Sequence, residues 1–294
     1  MAAREPVDLA KLKGLKVRAR AVVDGVLSGL HKSPHQGQSV EFAEHKEYAP
    51  GDELRHLDWK AYGKFDRFYV KRFEHETNLR AALVVDASGS MGYGSAGLTK
   101  LDVAATLAGA MATLLVRQQD AAGLMLLSKG ARQTIPPRAT PRHLQLVLDA
   151  LESLSPDGVT DLAGAADALG ETLPRRSLVA VFSDFLDDRS DALSRVLSLA
   201  ARKHDVSVFH VVDRDELEFP FEDPTRFVSM EDERNLEVNA RDIRESYLEE
   251  FGRFLESTKA ACGAAGVDYV QVRTDEALDR VLVKHLGRRV GSGP

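Results

Sequence analysis

From Ala81 onward the chain alternates short apolar runs with longer stretches of helical periodicity, and that alternation leaves few folds open to it. Runs at 81–86, 121–128, 178–183, 205–212 and 267–272 read as strands, with an edge strand near 132–136. Segments 99–119, 141–153, 161–172 and 190–203 read as helices; a long helix ends near Gly263 and another closes the chain. Strand and helix in regular succession predict an α/β protein, with a doubly wound, mostly parallel, Rossmann-like sheet. At 294 residues and 44% hydrophobic composition, the chain can fill such a core.

The first 79 residues have a different character and are expected to form an N-terminal extension to an α/β domain spanning 80–294. Leu9, Leu12, Leu15, Val22, Val26 and Leu30 recur at helical spacing and predict an amphipathic helix over 8–30. Its Lys11, Lys13, Lys16, Arg18 and Arg20 could suggest nucleic acid or an anionic membrane. The helix has no Trp or Phe to anchor in lipid, however, and a solvated face on a helix docked to its own domain is the better reading. A Pro/Gly-containing loop follows at 31–38, then segments of strand character at 40–48 and 67–76. Net charge is −6, unevenly spread: residues 1–80 carry 15 Lys/Arg against 12 Asp/Glu, whereas 213–256 carry 6 Arg against 15 acids. The acidic stretch includes a predicted hairpin over 226–238, an insertion within about 213–240. No apolar run approaches the roughly 20 residues of a membrane span. The absence of a signal-peptide core and the single cysteine, Cys262, lead us to expect a cytoplasmic protein without an internal disulfide.

The first strand of the α/β region runs into chemistry. Arg80-Ala-Ala-Leu-Val-Val-Asp-Ala-Ser-Gly-Ser-Met91 places Asp86, Ser88 and Ser90 at alternating positions on the loop leaving a buried strand. Open α/β sheets bind ligands at that edge. Taken alone, the string also fits an ordinary strand-to-turn exit. Two further oxygen donors change the balance: Thr160, at the start of a predicted helix, and Asp184, directly after the apolar run ending at Ser183. Neighbouring parallel strands end at the same edge, so Asp86 and Asp184 can converge. Five oxygen donors suit Mg²⁺, or Mn²⁺ in its place, while Ca²⁺ is the poorer match.

Asp86-x-Ser88-x-Ser90 with Thr160 and Asp184 resembles the metal-ion-dependent adhesion site of von Willebrand factor A domains. The resemblance implies that Ser88, Ser90 and Thr160 hold the cation directly or nearly so, that Asp86 and Asp184 act directly or through water, and that a partner's carboxylate fills the sixth position. Upstream, Glu47-Tyr-Ala-Pro-Gly-Asp-Glu-Leu-Arg-His-Leu-Asp-Trp-Lys60 and Val70-Lys-Arg-Phe-Glu74 are similar to the signature of the bacterial family called domain of unknown function 58. In that family a Y-x-x-G-D-x-x-R-x-[IL]-D-W string precedes an adhesion-type domain. Lys46, where the family more often has arginine, is a departure that does not touch the ligand set. The resemblance implies a metal-dependent protein-binding module, without catalysis, working beside a MoxR-type AAA+ ATPase in assembly or remodelling of other proteins. Arg55, Asp58 and Trp59 read as an internal ion pair with a packed indole, or else as a surface that reads the partner.

Competing chemistries fit less well. Gly92-x-Gly94-x-x-Gly97 matches a dinucleotide fingerprint but begins six residues past the strand end, too late for the tight turn that cradles a pyrophosphate. Lys100 follows Thr99 instead of preceding a Ser/Thr, so there is no P-loop. A haloacid-dehalogenase-like phosphatase would need D-x-D, and position 88 is serine. Ser88 and Ser90 do not sit in G-x-S-x-G. His31, His35, His45, His56 and His75 lack the Cys partners or H-E-x-x-H helix of a zinc site. The phosphatase, and a scaffold whose metal site is vestigial, remain as alternatives.

Overall fold

The computed structural model describes residues 7–30, 45–47, 69–71, 79–129, 131–186, 191–231 and 235–290. Chain contacts divide it into an α/β unit, formed by residues up to 30 and from 79 onward, and a second unit over 31–78. In the second unit, β1 (His45–Glu47) pairs antiparallel with β2 (Tyr69–Lys71). The rest of the family signature, including Arg55, Asp58 and Trp59, lies outside the described residues, as do His31, His35, His56 and His75.

In the α/β unit, β3 (Arg80–Asp86), β4 (Ala121–Ser128), β5 (Ala131–Arg138), β6 (Leu178–Ser183), β7 (Asp205–Val212) and β10 (Asp268–Arg273) form one sheet. Its order is β10-β7-β6-β3-β4-β5, parallel except for the β4–β5 edge pairing. Pro136 and Pro137 lie in β5, where an edge strand tolerates the missing amide donors. Read from the β5 edge, the chain order is third-second-first-fourth-fifth-sixth, so the winding reverses between β3 and β6.

Alternation along the buried strands feeds two helical layers. Leu83 and Val85 of β3, with Phe182 and Phe209, pack against α1 (Leu15–Leu30), α2 (Lys100–Arg117), α3 (Pro141–Glu152) and α8 (Leu278–Val290). Ala82 and Val84, with Val179, Val181 and Val208, face α4 (Leu162–Thr172), α5 (Ala192–Ala201) and α7 (Ala240–Ala264). The expected hairpin forms from β8 (Pro224–Val228) and β9 (Asn235–Asn239). A short helix, α6 (Arg214–Glu218), precedes it.

The N-terminal helix departs from expectation in two ways. A 3₁₀ turn at Leu9–Lys11 is separated from α1 by Gly14 with φ +86°, so the single helix over 8–30 is broken where only glycine is unstrained. Its basic face is solvated as expected at Lys11, Lys13 and Arg20 but drawn inward at Lys16 and Arg18. Arg18 donates to Asp102 Oδ1 at 2.7 Å and to Thr106 Oγ1 at 3.2 Å, tying α1 to α2, and Lys16 reaches Asp149 of α3.

Candidate functional site

β3 and β6 lie side by side with Val85 opposite Phe182, so Asp86 and the Ser183-Asp184 pair leave the same edge at the point where the winding reverses. Asp86 is the hub. Its Oδ1 accepts from the Ser88 amide at 2.9 Å and from Thr160 Oγ1 at 3.0 Å, and its Oδ2 accepts from Ser183 Oγ at 2.6 Å. Ser88 Oγ and Ser90 Oγ are 3.1 Å apart. Thr160 is delivered by the loop before α4, which docks on the Asp86 loop through the Gly89 amide to the Gly158 carbonyl and the Asp157 amide to the Ala87 carbonyl. Asp86, Ser88, Thr160 and Asp184 are all buried, while Ser90 is half-buried at the mouth.

Asp184 is held differently. Its Oδ1 accepts from the Leu186 amide at 3.1 Å, and its Oδ2 accepts from Lys100 Nζ at 2.7 Å. Lys100, at the first position of α2, is fully buried and also donates to Glu216 Oε1 of α6 at 2.6 Å. Burial alone would lower the lysine's pKa; the charges of Asp184 and Glu216 outweigh it, and the group sits above its ordinary value. Burial, and then the negative charge of Asp184, pushes the Asp86 carboxyl up to about 6, against the hydrogen bonds from Ser183, Ser88 and Thr160. Two carboxyls at adjacent strand ends thus repel each other in a poorly solvated crevice, the electrostatic condition a divalent cation would relieve.

The structure therefore gathers Asp86, Ser88, Ser90 and Thr160 around one carboxylate and brings Asp184 near enough to act on it. The donor set fits a hard cation, because every candidate ligand is an oxygen. Among the described residues no group of three His, Cys, Asp or Glu side chains could hold a metal by itself, so the hydroxyls would have to supply part of any shell. Lys100, Ser183 and Glu216 were not expected at the site. Lys100 carried the one legible signal: a lysine at the first position of a helix opposes the helix dipole, which calls for an acidic partner.

Outside the hub, Ser90, Tyr93, Lys100, Leu186 and Glu216, together with Ser229–Glu231 beyond β8, line a cavity of about 280 Å³. A second cavity of about 540 Å³ shares Tyr93 and Glu216 with it and is walled by Phe219, Phe221, Phe227 and Tyr247. Tyr93 bridges the two by donating to Asp215 at 3.0 Å.

Fold and crevice together define an α/β protein with a doubly wound, mostly parallel sheet and an oxygen-lined site at its topological switch point. Residues 44–253 match the family described as Protein of unknown function DUF58, and the chain belongs to that family. The uncharacterized proteins Rv1480 of Mycobacterium tuberculosis and Mb1516 of Mycobacterium bovis are each 31% identical to it over 219 residues, 74% of this chain and 68% of theirs. Among solved structures, 73% of the chain is similar to the whole of BatB from Bacteroides thetaiotaomicron, at 14% identity and a TM-score of 0.47. It also resembles the SpRpn10 VWA domain, at 10% identity and a TM-score of 0.39, over 69% of this chain and 94% of that one. No helix among the described residues is long and apolar enough to cross a membrane.

Proposed function

We propose that the protein is a metal-dependent protein-binding module and not an enzyme, with Asp86, Ser88, Ser90, Thr160 and Asp184 holding Mg²⁺, or Mn²⁺ in its place. The observation that carries this reading is the convergence of the Ser88 amide and the Thr160 hydroxyl on one oxygen of Asp86, with Ser90 and the charge of Asp184 beside it. When bound, the cation would supply a Lewis-acidic point of attachment for a partner's carboxylate. The chain's own groups fix the hydroxyls, exclude water from Asp86 and leave Ser90 at the open mouth.

The surroundings suit protein recognition. Of the eight exposed large hydrophobic residues among those described, Val159 precedes Thr160, Leu186 and Met230 line the mouth, and Val228 and Leu236 line the aromatic cavity beside it. Apolar side chains concentrated around a polar centre are characteristic of an interface. Resemblance to the family extends the proposal to a MoxR-type AAA+ ATPase as partner and to an adaptor role in protein assembly or remodelling.

Pull-down of that ATPase by the full chain, with Mg²⁺ and with chelator, tests the reading. Capture is expected only with the cation and is expected to fall at least tenfold in Ser90→Ala. Equal capture in chelator, or cross-links confined to α1 with none near Ser90 or Phe185, would remove the adhesion mechanism. Mg²⁺-dependent phosphate release from a phosphomonoester would instead favour the phosphatase alternative.

A further inference from the structure

Lys100 is an unusual neighbour for a cation site, because it already places a positive charge there. Its side chain is 1% exposed, and its ammonium lies 2.7 Å from Asp184 Oδ2 and 2.6 Å from Glu216 Oε1. Each Asp184 oxygen already accepts one hydrogen bond, Oδ1 from the Leu186 amide and Oδ2 from the lysine. A cation beside Asp86 that drew on Oδ2 of Asp184 would compete with the lysine for that oxygen and meet its positive charge.

Glu216 makes release of Asp184 by the lysine feasible. Its Oε2 accepts from the Asp213 amide at 2.7 Å as half of the α6 capping box, so its Oε1 stands fixed in front of Lys100. A lysine that lets go of Asp184 would keep this one carboxylate and would not become an unpaired buried charge, the costly outcome for an ion in the protein interior. The two acids also differ in setting. Asp184 raises the Asp86 carboxyl by its charge, whereas Glu216 belongs to α6 and lies outside the oxygen set.

Resting on the metal reading above, we propose that Lys100 is a built-in competitor of the divalent cation: it holds Asp184 when the site has no cation and passes to Glu216 alone when one binds. Lys100 is thus a positioning residue. It keeps the two strand-end acids compatible with a folded apo protein, at the expense of cation affinity. Because Glu216 lines both the metal mouth and the aromatic cavity, the exchange would also carry cation occupancy towards the face where an apolar side chain of a partner would sit.

Mn²⁺ titration by calorimetry, with thermal unfolding of the same samples, tests this on the full chain. Lys100→Met is expected to bind Mn²⁺ at least about tenfold more tightly than wild type, since a like charge leaves the cation's surroundings. It is also expected to melt lower in chelator and to recover when Mn²⁺ is added. Competition for Asp184 itself further requires the gain to vanish, to within about twofold, when Lys100→Met is made in an Asp184→Asn background. Should Lys100→Met fail to fold in chelator, the comparison is made between Glu216→Gln and Glu216→Gln/Lys100→Met, which leaves one buried acid fewer. Equal Mn²⁺ affinity with and without Lys100, or a gain that persists undiminished in Asp184→Asn, overturns the competitor role while leaving the metal reading standing. No Mn²⁺ binding by any of these proteins overturns both.

Discussion

Asp86 accepts three hydrogen bonds and is 5% exposed, yet its carboxyl is pushed up to about 6 by burial and by Asp184. The sign of the consequence follows from linkage. An acid whose folded pKa lies above its unfolded value, near 4, binds its proton more tightly in the native state. Its contribution to stability is therefore present in full below about pH 4 and is lost as the pH rises through about 6. At neutral pH the charged Asp86 costs on the order of 3 kcal/mol relative to an unshifted carboxylate. Asp86→Asn retains a carbonyl for Ser88 and Thr160 and removes the charge. In chelator it is expected to melt above wild type at pH 8 and to converge with it near pH 4. Excess Mg²⁺ is expected to reverse the order at pH 8, because only wild type then gains from binding the ion. A variant less stable than wild type at pH 8 in chelator would show that the hydrogen bonds, and not the repulsion, dominate at this residue.

At the scale of elements, what could be read in advance followed periodicity, and what could not depended on long-range pairing. β3, β6 and β7 stood out as apolar runs because each is buried on both faces, and the acids at 86 and 184 marked the ends of two of them. The hydroxyl at 160 was legible as a donor at a helix start. Glu216 was not, and Lys100 showed only as a lysine in want of an acid, since their pairing spans 116 residues and joins α2 to α6, a five-residue helix with no apolar periodicity. The hairpin was legible as two strands, but its docking was not. A Cβ on Gly89 would lie 2.0 Å from the Met230 carbonyl oxygen and 2.6 Å from its carbon, so the segment just beyond β8 packs directly on the backbone of the Asp86 loop. Those are backbone atoms, which cannot rotate aside. Gly89→Ala is therefore expected to lift the Met230 segment off the site and to lower stability by about 1–3 kcal/mol. Amide exchange should quicken over 224–231 and 235–239. Unchanged protection there would mean that the loop, and not the hairpin, absorbs the added methyl.

Across the molecule, the α/β body is completed by residues far upstream of its first strand. Composition and spacing marked α1 as amphipathic, but which surface it covers depends on tertiary packing that no local pattern encodes. Leu15, Val22, Val23 and Val26 are all within 3% of full burial and join the core on the α2 face of the sheet. Gly25 and Gly29 let α1 approach α8 closely: a Cβ at Gly25 would lie 2.7 Å from Asp279 Cβ, and one at Gly29 would lie 3.1 Å from a Val283 methyl. The helix thus braces both α2, whose first residue is Lys100, and α8, and loosening it should be felt as lost global stability. Val23→Ala and Val26→Ala, each at a residue with 0% exposure, are expected to cost about 2 kcal/mol apiece from two lost methylene equivalents and the cavity left behind. Val17→Ala lies on the same helix but at 51% exposure, and it should change stability by no more than about 0.5 kcal/mol. Urea unfolding of the three variants, read as midpoint shifts at constant slope, decides the matter. If the two buried valines behave like Val17, α1 is an appendage of the α/β body and not part of its core.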